Sequence, residues 1–163
     1  VRGEVAYVKR QHYFTIWMDA NEREGIVKNI APNPPFSAVQ TVNINWMSTH
    51  VSSYKMLKAH PEWKSGIRKL EQSVNGKRYR YVPKIANTAV FRNAIHDGDI
   101  IAIITNKKGL DTTHIGIASW HKDGLHLLNA SSIHKKVIDE PMTLYTYMHK
   151  HPVQIGIRVC RVQ

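Results

Sequence analysis

Apolar positions fall into two different rhythms along this chain. From residue 7 to residue 23 they recur at helical spacing, with Val8, Tyr13, Ile16, Trp17 and Ala20 on or near one stripe, and Gly25 closes the helix. Pro32, Pro34 and Pro35 oppose regular structure, so residues 29–41 are expected to form a long loop. A short helix capped by Ser48 or Thr49 then runs to Ala59. Another opens at Pro61, a residue suited to a first helical position, and reaches Val74. Asn75-Gly76 turns the chain into a strand over Arg78–Val82.

The second rhythm is that of strands. Asp97-Gly98 leads into a continuous apolar run over Asp99–Thr105. Thr112–Trp120 and Leu125–Ala130 follow as strands around an Asp123-Gly124 turn, and Lys135–Ile138 is a weaker one. Pro141 opens a helix to about Lys150 with Leu144, Tyr147 and Met148 facing inward. The chain closes on an alternating strand, Val153–Val162. Helices first and strands afterwards predict an α+β fold, helices packed on a mostly antiparallel sheet. The expected organisation is one domain: residues 1–96 helical and loop-rich, residues 97–163 a strand-rich core.

Composition narrows the classes. Hydrophobic residues make up 42% of 163, and no apolar run approaches the length of a membrane span. A single cysteine, Cys160, excludes an internal disulfide and a thiolate-cage metal site. The net charge is +11 and uneven, with +8 in residues 1–90 and +3 in residues 91–163. Its densest cluster, Lys77-Arg78-Tyr79-Arg80-Tyr81 with Lys84, mixes cations and aromatics as nucleic-acid surfaces do. No nucleic-acid motif accompanies it, and a strand with Arg78 and Arg80 facing water is the simpler reading. A positive surface suits an anionic polymer such as a cell wall equally well.

The candidate chemistry lies in the strand cluster. Side chains alternate along a strand, so His114, Gly116 and Ala118 share one face. If residues 121–124 form a four-residue loop, Trp120 pairs with Leu125 and Asn129 falls opposite Gly116. Asn129 is then a diagonal neighbour of His114, within reach of a side-chain hydrogen bond. A two-residue Asp123-Gly124 turn moves Asn129 one pair further away, and a three-residue loop puts Asn129 and His114 on opposite faces. An imidazole with a polar residue orienting it is a base awaiting a nucleophile: it takes a thiol's proton and returns it to a leaving amine. A lone histidine on a half-buried strand is by itself more often structural.

The segments Gly98-Asp99-Ile100-Ile101-Ala102, His114-Ile115-Gly116-Ile117-Ala118 and Asn129-Ala130-Ser131-Ser132 resemble those of NlpC-like, papain-related cell-wall hydrolases. The likeness is closest to the N-acetylmuramoyl-L-alanine amidase-like branch. Arg10-Gln11-His12-Tyr13-Phe14, Trp46-Met47-Ser48-Thr49-His50, Tyr81-Val82-Pro83, Gly109-Leu110-Asp111 and Gly156-Ile157-Arg158-Val159 extend it over nearly the whole chain. The resemblance implies a papain-like fold, with His114 as catalytic base and Asn129 in the orienting position where many relatives have histidine. It also implies a cysteine at the start of a helix upstream of His114, and no cysteine precedes His114 here. The chain, which opens on Val1-Arg2, is therefore expected to be the C-terminal part of a longer protein, inactive by itself. The face of His114, Gly116 and Ala118 is expected to leave a hydrophobic groove for the absent helix. Peptidoglycan is the implied substrate and partner, the absent N-terminal segment a second partner, and the cell envelope or periplasm the implied location. No signal peptide is apparent in the sequence.

Other candidates carry less. Cys160 sits in the terminal strand with no helix after it to activate a thiolate, which points to a buried structural thiol. Asp111, just before the His114 strand, and Ser48 with His50 are candidate substrate contacts; loop stabilisation, capping and surface packing explain them equally well. His12 amid aromatics reads as packing. Ten histidines invite a metal, but no His-Glu-x-x-His is present and His149 and His151 flank a helix end, so no metal or cofactor is expected. The competing class is a nonenzymatic module that holds wall polymer or nucleic acid on its positive surface.

Overall fold

The computed structural model describes residues 6–84, 91–132 and 134–163. Its helices are α1 (Phe14–Arg23), α2 (Trp46–Thr49), α3 (Lys55–Ala59), α4 (Lys64–Gln72) and α5 (Leu144–His149). Its strands are β1 (Val27–Ile30), β2 (Ala38–Thr41), β3 (Arg78–Pro83), β4 (Ile100–Thr105), β5 (Thr112–Trp120), β6 (Leu125–Ser131), β7 (Lys136–Asp139) and β8 (Gln154–Val162). The fold is α+β on a mostly antiparallel sheet, in the order β2-β3-β8-β4-β5-β6-β7. β8 is long enough to meet β3 at Ile157 and Gly156 and β1 from Val159 to Val162 along the same edge.

Two apolar layers cover this sheet, and the alternation of β4 and β8 explains why. Ile101 and Ile103, paired with Val159 and Ile157, face a core completed by Leu125, Leu127, Leu144 and Met148. Ile100 and Ala102, paired with Cys160 and Arg158, face the other way, where Phe14 and Met18 of α1 pack. Both strands are therefore buried on both faces, which is why β4 reads as an unbroken apolar run rather than an alternating one. A third cluster joins Tyr13, Ile16, Val42, Ile44, Met47, Leu57 and Ile67 among the helices.

Several elements differ from the expected ones. The helical stripe over 7–23 is broken: Tyr7–Lys9 form a separate 3-10 turn, and Tyr13 is extended at φ −115° and ψ 146°. Tertiary contacts account for the break. The Tyr13 hydroxyl donates to Glu71 at 2.7 Å and accepts from the Met47 amide at 2.9 Å, while Val8 packs over Gly66 of α4. Residues 29–41 are not all loop, because the prolines occupy only the turn and the flanks pair as β1 with β8 and β2 with β3. Ser48 and Thr49 do not cap a helix start. They lie at the end of α2 and both hydroxyls donate back to the Asn45 carbonyl, at 3.2 and 2.7 Å. Pro61 opens a 3-10 turn before α4, and α5 is capped by Thr143 rather than opened by Pro141. Arg78 and Arg80 are exposed on β3, as the alternation predicted.

Candidate functional site

The site is built by one hairpin. β5 and β6 are joined by the four residues 121–124, with Trp120 opposite Leu125 and Ala118 opposite Leu127. The loop closes with the His121 amide donating to the Gly124 carbonyl at 2.9 Å. This register, carried toward the open end, brings Asn129 to the diagonal of His114, and the two side chains meet at 2.9 Å between Nε2 and Oδ1. The Asn129 Nδ2 donates to the Leu127 carbonyl at 3.1 Å, so its Oδ1 is the atom left for the ring. An amide oxygen only accepts; Nε2 therefore carries the proton and Nδ1 keeps the lone pair. The orientation leaves Nδ1 free to accept a proton.

Two further features aim the ring. The pairing of β4 with β5 shifts register between Ile103 and Ile104, a bulge at Thr113 beside His114. Tyr147 of α5 lies 6.4 Å from the ring, centroid to centroid and nearly parallel. His114 thus forms one wall of a polar cleft of about 270 Å³ shared with Ser131, Glu140, Tyr147, His151 and Gln154. Burial, followed by the nearby Glu140 carboxylate, pushes the Tyr147 phenol above its ordinary range, so it stays a neutral hydroxyl donor at neutral pH. Glu140 and Gln154 are buried.

The expected hydrophobic groove is not on the face of His114. Gly116 is packed so closely that a Cβ there would lie 2.6 Å from the Leu127 side chain, and Ala118 belongs to the core. The apolar gap is on the opposite face of β5: a cavity of about 400 Å³ lined by His12, Phe14, Trp17, Ile100, Ile115 and Ile117, with Ile115 45% exposed.

Cys160 is far from this chemistry. It pairs with Ile100, whereas His114 pairs with Ile103, so the two project from opposite faces of the sheet. Burial, with the Asp99 charge adding to it, pushes the thiol up to about 12. It is a fully buried core thiol.

The remaining sequence candidates lie outside the cleft. Asp111 is 1% exposed and its carboxylate is occupied: Oδ2 accepts from the Thr15 amide and hydroxyl at 2.9 and 2.7 Å, and Oδ1 from the Thr112 amide at 2.8 Å. It supplies from a distance the cap that Tyr13 does not give α1. Arg158, wholly buried between Phe14 and Tyr79, donates to the Thr15 hydroxyl and lies 3.7 Å from Asp111. Ser48 is buried, and His50 stacks on Trp46 at 3.7 Å. His12 bonds the Tyr7 carbonyl at 2.8 Å and packs against its ring. His151, set aside with His149 by its position at a helix end, does line the cleft. Glu140 and Gln154 carried no signal in the sequence, since neither belongs to a spaced motif.

The family model for AmiA-like, N-acetylmuramoyl-L-alanine amidase-like proteins matches residues 1–157. The chain belongs to that family. Among solved structures, a Bacteroides uniformis N-acetylmuramoyl-L-alanine amidase is 36% identical, with a TM-score of 0.91 over 97% of this chain and 66% of that one. A Bacteroides fragilis protein provisionally named a xylanase is also 36% identical, with a TM-score of 0.89 over 96% of this chain and 67% of that one. A Legionella pneumophila protein at 21% identity and TM-score 0.60, over 96% of this chain and 63% of that one, shares the fold. No curated protein matches the chain. The 163 residues span about two thirds of the length of the two Bacteroides proteins. No helix among the described residues is long and apolar enough to cross a membrane.

Proposed function

We propose that the complete protein is a cysteine amidase or peptidase of peptidoglycan, of the NlpC-like, papain-related kind, acting in the cell envelope. In this reading the 163 residues carry the base and its orienter, and a thiol outside them is the nucleophile. The observation that carries it is the His114–Asn129 pair, a buried amide fixing an imidazole tautomer at the wall of an open polar cleft. Family membership and the amidase name of the Bacteroides uniformis relative supply the substrate class.

The chemistry follows from the free Nδ1. It takes the proton of the thiol, and the thiolate attacks the amide carbonyl to give a tetrahedral intermediate. The imidazolium returns the proton to the leaving amine as the C–N bond breaks. Water, deprotonated by the same nitrogen, then cleaves the thioester and regenerates the thiol. Asn129 keeps the ring in plane throughout. The neutral Tyr147 hydroxyl and the amide of Gln154 offer donors to a peptide or sugar carbonyl in the cleft.

The test is amide cleavage of purified wall fragments by the complete protein. His114→Ala should lower kcat/KM by ~10³-fold or more, as expected for a base acting as a unit with its nucleophile. Cleavage retained by that variant removes His114 from the role. Salt-sensitive binding of wall polymer without any turnover would support the nonenzymatic binder instead.

A further inference from the structure

The closed end of the same hairpin carries a second cluster of histidines and carboxylates that the His114 cleft does not use. His121 and His126 flank the loop, and their rings stack at 3.9 Å with 17° between planes. His126 Nδ1 lies 2.7 Å from the Glu140 carbonyl and Nε2 lies 2.9 Å from Asp123 Oδ1. His121 Nε2 lies 2.8 Å from Asp139 Oδ2, and the Ser119 hydroxyl donates to the same oxygen at 2.9 Å.

This arrangement has a proton problem. A carbonyl only accepts, so Nδ1 of His126 must hold the hydrogen, and the lone pair of a neutral ring then sits on Nε2. Nε2 nevertheless faces a carboxylate, which also accepts. At His121 no such conflict arises, since a neutral ring with its hydrogen on Nε2 donates to Asp139. A divalent cation answers the His126 contact, since it meets a neutral Nε2 lone pair, and His121 and Asp139 stand beside it as further donors.

We infer that His121, His126 and Asp139, with Asp123 within reach, form a binding site for a zinc-type divalent cation. Mixed imidazole and carboxylate donors favour zinc over magnesium or calcium, which prefer oxygen alone. The backbone carbonyl on His126 Nδ1 is the outer-shell partner that fixes a metal-binding tautomer. The ligand atoms of His121, His126 and Asp139 already lie within 4.8 Å of one another. Zinc bonds of about 2.0–2.2 Å require ligand atoms roughly 3.3–3.5 Å apart. Small rotations of His121 and Asp139, 42% and 39% exposed, supply that closure around His126, which is 3% exposed and anchored. The bound ion ties the edge strand β7 to the hairpin tip. Asp139 immediately precedes Glu140, so the ion also holds that wall of the His114 cleft.

The experiment is calorimetric titration of metal-stripped protein with zinc chloride, with melting curves recorded in parallel. The surface variants His121→Ala and Asp139→Asn are used, because truncating buried His126 endangers the fold. One saturable equivalent is expected, raising the Tm, with affinity lowered at least ~10-fold in each variant, no less than the loss of an outer-shell partner costs. Magnesium should not bind. Absence of saturable zinc binding, or binding undiminished in both variants, overturns the inference.

Discussion

Asp111 accepts four hydrogen bonds while facing a buried guanidinium, so one side chain joins α1, the start of β5 and β8. Truncating it removes the largest counter-charge of the buried Arg158. Asp111→Ala should lower the unfolding free energy by about 3–5 kcal/mol, the usual cost of removing one partner of a buried pair. Urea unfolding would read this as a lower midpoint at unchanged slope; a change below about 1 kcal/mol would mean that Asp111 is not the keystone of that junction. Asn129 is tested differently, since its proposed role is orientation. In the complete protein Asn129→Ala should lower kcat more than it changes KM, near the lower end of the ~10²–10⁴-fold range for positioned acid–base groups. A KM effect alone would make Asn129 a binding residue only.

At the scale of elements, the β5–β6 hairpin is the unit that assembles the site, and Gly116 sets how closely its strands pack. A methyl there meets Leu127 at 2.6 Å and the Leu128 carbonyl at 2.8 Å. Gly116→Ala should therefore cost about 1–3 kcal/mol by overpacking and weaken the His114–Asn129 contact, seen as a kcat loss in the complete protein. Unchanged stability would show that the strands have slack. The two strands of this hairpin were legible from their alternation, while the diagonal depended on a loop length that the sequence left open between two, three and four residues and that the structure shows to be four. β1 and β2 were not legible, since prolines signal only where regular structure stops and pairing to distant β8 and β3 leaves no local trace. The α1 boundary failed for the same reason: Tyr13 satisfies the helical stripe yet is held extended by Glu71 and Met47 from other elements. Glu140 and Gln154 reach the cleft only through the placement of β7 and β8, which composition does not encode.

For the molecule as a whole, burial of proton-bearing groups sets an alkaline limit. The Cys160 thiol is pushed up to about 12, mainly by burial, and the Tyr13 and Tyr79 phenols are raised, again with burial the largest cause. Folding favours the protonated form of each, so their stabilisation is full below the unfolded values and fades as pH rises through the folded ones. Stability should decline from about pH 9 upward, where a free thiol begins to ionise. In Cys160→Ala the decline should begin nearer 10, where free phenols ionise. An identical onset in both proteins, followed by circular dichroism, would show that Cys160 takes no part.

In the proposed function His114 serves a thiol that these 163 residues do not contain, Cys160 being buried on the opposite face of the sheet. Iodoacetamide labelling of the complete native protein at pH 6–7, with the site mapped by mass spectrometry, tests this most directly. Fast alkylation is expected at a cysteine outside this chain, slowed at least ~10-fold in His114→Ala as the thiolate loses its partner, with Cys160 unlabelled until the protein unfolds. Label on native Cys160, or a reactive cysteine indifferent to His114, would contradict it.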